Sequence, residues 1–99
     1  MRIDVLFIGG CPNQTATVSL VRDAVRDLGL EATVQEVEVR ELSDAGRLRF
    51  LGSPTVQVEG RDIEPERWED REYSLSCRMY GASGVPSREL VMSALTRTR

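Results

Sequence analysis

Residues 3–8, Ile-Asp-Val-Leu-Phe-Ile, are a short apolar, β-branched run broken by one acid. The pattern predicts a central strand buried on both faces. Gly9-Gly10 ends it with a backbone free to turn sharply. A helix is predicted from residue 12 or 13 to residue 28. Leu20, Val21, Ala24, Val25 and Leu28 recur at the spacing of a buried helical face, and Arg22, Asp23, Arg26 and Asp27 fall opposite. Pro12 suits a first helical position, where its missing N–H costs nothing, and Gly29 is a well-placed stop.

Residues 31–39 read as a second strand. Ala32 and Val34 share one phase, Val37 and Val39 the other, which predicts a bulge or contact on both faces. A strand–helix–strand unit this compact predicts a right-handed parallel crossover. Residues 43–50 form a short predicted helix with Ser43 as N-cap and Leu48 and Phe50 as anchors. Two β runs, 55–58 and 61–63, around Glu59-Gly60 read as a hairpin. Residues 64–73 are charged and aperiodic and include Pro65, the pattern of a surface insertion. Leu75, Cys77 and Met79 alternate with Ser76, Arg78 and Tyr80, which predicts a short strand burying the first three. After a loop at 81–84, Pro86 opens a last helix whose stripe is Leu90, Val91, Ala94 and Leu95. The order is β-α-β-α-β-β-α with an insertion before the last helix, an α/β chain of one domain over residues 1–99.

Composition narrows the chemistry. With 40% hydrophobic and 29% charged residues, the 99-residue chain suits an ordinary globular domain with a single core. A net charge of −3 and no basic stripe give no reason to expect nucleic acid. All 13 basic residues are arginine, and there is no histidine. That excludes Cys-His and Ser-His pairs, His-ligated zinc, lysine Schiff bases and a P-loop. Thiolate, carboxylate, tyrosine hydroxyl and backbone donors remain. The start of the chain has neither the length nor the cleavage pattern of a signal peptide, and no run approaches the ~18 apolar residues of a membrane span. The expected compartment is the cytoplasm, with no membrane partner; two cysteines do not make a secreted disulfide framework.

Cys11 is the residue with an evident chemical purpose. At the mouth of a long helix it meets unpaired N–H groups and the positive end of the helix dipole, both of which favour thiolate. The bland alternative is a small hydrophobe packed at a strand-to-helix turn. For Cys77 the simpler account is a core cysteine in phase with Leu75 and Met79. A role for it as a remote resolving thiol requires Cα atoms within ~7 Å of each other. Asn13 and Gln14 read as caps of the first helical turn, with donation to a thiolate or substrate as the functional alternative. Trp68 and Tyr73 read as part of a solvated loop, with a partner surface as the alternative.

Cys11-Pro12 after a first strand, and Pro54 just before the third, resemble the thioredoxin superfamily over most of the chain outside residues 64–84. The resemblance implies a thioredoxin-like mixed sheet flanked by helices. It implies a cis-proline at Pro54 facing Cys11, and Ser53 backbone groups that pair with an extended substrate. Pro12, Asn13, Gln14, Ser53 and Pro54 would then line the substrate, a protein or small-molecule thiol or disulfide. Gln14 stands where the second cysteine of Cys-x-x-Cys would fall, so a dithiol cycle cannot close within the motif. Gly52-Ser53-Pro54 and residues 61–65 replace the Thr-Val-Pro and Gly-Gly segments of glutathione-binding members, so glutaredoxin activity, iron–sulfur binding and any other cofactor are not expected. Residues 75–80 through Pro86 are similar to the segment of bacterial organomercurial (alkylmercury) lyases that holds one substrate-binding cysteine. Those enzymes contain a thioredoxin-like core, hold mercury with two thiolates and protonate the leaving carbon from a carboxylic acid. No aspartate here matches a lyase motif. Three functions follow: a thiol–disulfide oxidoreductase with Cys11 as nucleophile and Cys77 resolving; a soft-metal binder using both thiolates; or a non-catalytic interaction module.

Overall fold

The computed structural model describes residues 1–98. Its elements are β1 (Arg2–Phe7), α1 (Gln14–Asp27), β2 (Thr33–Glu38), α2 (Leu42–Arg47), β3 (Thr55–Val58), β4 (Arg61–Asp62), a 3₁₀ turn (Pro65–Arg67) and α3 (Arg88–Thr98). The strands form one mixed sheet in the order β2-β1-β3-β4. β1 pairs parallel with β2 and antiparallel with β3, and β4 closes a hairpin on β3. Glu59 (φ 52°) and Gly60 (φ 81°) both take positive φ in that hairpin, as a two-residue turn following the strand twist requires.

β1 is central, as its apolar run predicts. Ile3 and Val5 pack beneath α1 and α3 with Val56, Val58, Val21, Ala24, Val91 and Leu95. Leu6 points to the other face, where Val39, Ala45 and Phe50 form a smaller core around α2. Asp4 shares that second face and is held by Arg2 Nε at 3.1 Å. The phase change in β2 is contact on both faces, with no bulge: its register with β1 is unbroken from Arg2↔Thr33 to Phe7↔Glu38. Val34 joins the larger core and Val37 the smaller.

Helix starts differ from expectation in detail. α1 begins at Gln14, and Asn13 sits at its N-cap without a side-chain capping bond. The N-cap of α2 is Glu41 rather than Ser43, again without one. The Ser87 hydroxyl accepts from the Leu90 N–H at 3.1 Å at the start of α3, so Pro86 precedes the helix instead of opening it. Gly29 (φ 63°) ends α1 as predicted, with Leu30 N–H donating to the Val25 carbonyl at 3.1 Å.

Candidate functional site

The Cys11 side is built by the turn between β1 and α1. Gly10 takes φ 80°, and the Cys11 N–H returns to the Ile8 carbonyl at 3.1 Å. Cys11 is half-buried. Within the first turn of α1, the Asn13 carbonyl takes both the Thr17 N–H (3.1 Å) and its hydroxyl (2.7 Å). The Asn13 amide lies against Gly84: a Cβ there would stand 2.2 Å from Asn13 Nδ2. Gln14 turns toward β2 and donates to Glu36 at 2.8 Å. Pro12 is exposed beside them.

Opposite this turn, the Ser53–Pro54 peptide bond is cis at the entry to β3. Ser53 is 1% exposed, and its hydroxyl accepts from the Ile8 N–H at 3.1 Å, tying the start of β3 to the end of β1. The Ser53 main chain is not open to a substrate. Its N–H donates to the Ser76 carbonyl at 2.7 Å, and its carbonyl accepts from the Arg78 N–H at 2.9 Å, a parallel bridge opposite Cys77. The two cysteine-bearing segments therefore share Ser53 as a neighbour, and both thiols are free.

Residues 75–80 correct the predicted strand. They form single bridges rather than a strand, and the inward residues are Arg78 (3% exposed) and Tyr80 (8%). Leu75, Cys77 and Met79 are exposed, so Cys77 is no core residue. The reason is an ion-pair cluster. Arg78 meets Asp62 through both terminal nitrogens, at 2.6 and 2.8 Å, and Glu64 at 2.7 Å. Its guanidinium also lies 4.4 Å from the Tyr80 ring centroid, and the Tyr80 hydroxyl donates to the Pro54 carbonyl at 2.7 Å. With Arg78 and Tyr80 turned inward to make these bonds, the alternation of an extended chain leaves Leu75 and Met79 in water. Gly52 allows the close approach: it takes φ 113°, and a Cβ on it would meet Arg78 Cβ at 2.9 Å.

The field around the cluster follows from burial and pairing. Burial opposes the Arg78 charge, but its hydrogen bond to Asp62 and the surrounding charges together carry the guanidinium above its ordinary value. Burial, the largest influence, pushes the Tyr80 phenol well above the usual tyrosine range, with the Arg78 charge opposing. Sequence reasoning missed Asp62, Glu64, Arg78 and Tyr80. The available signal was the other phase of the same alternation, Arg78 and Tyr80 facing in, with Asp62 and Glu64 as acids to receive the arginine.

The region predicted as a solvated insertion is partly folded down. Trp68 Nε1 donates to the Asp62 carbonyl at 2.7 Å, with Arg61 lying 4.9 Å from the ring centroid, and Tyr73 packs on the smaller core. A cleft of about 220 Å³ lies there, lined by Arg49, Arg61, Trp68, Arg71 and Tyr73 among others; neither cysteine lines it. Among the described residues no three His, Cys, Asp or Glu side chains gather as a metal-binding group. No described helix is long and apolar enough to cross a membrane. Comparison with models of known families, with curated proteins and with solved structures finds no match to this chain.

Proposed function

We propose that this chain is a thioredoxin-like thiol–disulfide oxidoreductase of the cytoplasm, with Cys11 as nucleophile and Cys77 as remote resolving thiol. The observation that carries the reading is the place of Ser53: its hydroxyl is bonded to the end of β1 that leads into Cys11, and its main chain to the segment bearing Cys77. The order β-α-β-α-β-β-α and the central β1 support the same class. In the cycle, the Cys11 thiolate attacks a disulfide sulfur, a mixed disulfide forms, and one substrate thiolate leaves and takes a proton. The Cys77 thiolate then attacks the Cys11 sulfur and expels the second thiolate. The substrate gains two electrons, and the protein ends with a Cys11–Cys77 disulfide. Gln14 is bonded to Glu36 and takes no part.

The test is intact mass after mild oxidation, with and without thiol alkylation. Loss of two hydrogens from a monomer with both thiols blocked is the expected result, absent in Cys11→Ser and Cys77→Ser. Adducts on Cys11 while Cys77 stays reduced would remove Cys77 from the cycle.

A further inference from the structure

Resting on that reading of Cys11, we propose that residues 74–80 act as a built-in occupant of the edge beside the thiol, and that Cys11 serves low-molecular-weight disulfides rather than polypeptide strands. An extended peptide is held beside a reactive group mainly by main-chain hydrogen bonds to a free backbone edge. Next to the Cys11 turn that edge is Ser53, and both of its main-chain groups are spent on Ser76 and Arg78. The occupant is part of the same chain, so it competes at a high effective concentration.

Displacing it is costly. The Arg78 side chain is 1% exposed and Asp62 5%, so lifting the segment would separate a buried, doubly bonded ion pair. It would also break the Tyr80 bond to the Pro54 carbonyl. What remains reachable is a half-buried Cys11 and an exposed Cys77, enough for a small disulfide that needs no strand pairing. With such a substrate the sum is one disulfide and two protein thiols giving two small thiols and one protein disulfide.

The test uses the full chain carrying Cys77→Ser, which stops the cycle at the mixed disulfide on Cys11. It is treated with bis(2-hydroxyethyl) disulfide, or with the mixed disulfide of 2-mercaptoethanol and an unstructured cysteine octapeptide, and adducts are followed by intact mass. With the segment seated the peptide should react no faster than the small disulfide, lacking the gain of about tenfold or more that two main-chain hydrogen bonds to Ser53 would give it. Adding Arg78→Met should free the segment and raise the peptide rate relative to the small-disulfide rate. If that variant does not fold, Tyr80→Phe, which removes only the bond to Pro54, should move the ratio the same way by less. A peptide rate about tenfold above the small-disulfide rate with the segment seated, or a ratio unmoved when it is freed, overturns the proposal. If Cys11 reacts with neither disulfide in the folded protein but with both in urea, the redox reading fails and takes this inference with it.

Discussion

Arg78→Met is the perturbation whose size the structure defines best. The substitution keeps an unbranched apolar stem, stops short of the guanidinium and removes three charge-assisted hydrogen bonds of 2.6 to 2.8 Å. The orphaned partners differ. Glu64, with its side chain 20% exposed, can turn toward water, whereas Asp62 at 5% cannot. Breaking a buried pair from one side costs about 3–5 kcal/mol, against about 5–15 kcal/mol for a whole domain. At roughly 4–8 °C per kcal/mol for a chain of this size, the midpoint should fall by about 12 °C or more. Urea unfolding followed by the single tryptophan suits the assay, because Trp68 donates to the Asp62 carbonyl and reports on this region. Far-UV circular dichroism should give the same midpoint if the transition is two-state. Adding Asp62→Asn to Arg78→Met should recover part of the loss, since it removes the stranded charge. A loss below about 1 kcal/mol, the worth of an exposed pair, would refute the view that this cluster anchors the segment.

Two further outcomes follow. Gly52→Ala places a Cβ 2.9 Å from Arg78 Cβ at φ 113°, and strain plus overlap should cost about 2–4 kcal/mol in urea unfolding; a neutral result would mean the segment does not sit where described. Because the folded Tyr80 phenol holds its proton more tightly than the unfolded one, its contribution is complete below about pH 10 and is lost as pH rises further. Under reducing conditions, Tyr80→Phe should therefore lose less stability than the parent between pH 9.5 and 11 (bounds set around the ordinary tyrosine value of about 10), and equal slopes would count against a buried phenol.

The secondary structure was legible wherever burial follows apolar periodicity. α1 and α3 present the stripes their spacing predicts, and the two-phase valines of β2 divide between the two cores. The Cys11 turn was legible because Gly-Gly-Cys-Pro concentrates chemistry in four positions. Residues 75–80 were not. Their orientation is decided by Asp62, Glu64 and the Pro54 carbonyl, 14 to 26 positions away in sequence, and not by the hydropathy of the segment itself. An alternation with Leu and Met in one phase and Arg and Tyr in the other has two readings, and an ion pair selected the less apolar one. The cap of α2 was misread for a smaller reason: a serine near a helix start caps only if its own backbone lies just outside the helix, as Ser87 does before α3 and Ser43 does not before α2.

The alternation in residues 75–80 also separates the residues that fasten the segment from those it displays, one residue at a time. Arg78 and Tyr80 face inward and fix the backbone, while the side chains at 75, 77 and 79 stand in solvent. Selection, or a designer, can therefore change the odd positions without unseating the segment. A selenol or a carboxylate at 77, or different bulk at 75 and 79, would be delivered to the same place beside Ser53. The exposed face of the segment can thus change by single substitutions while the fold stays constant.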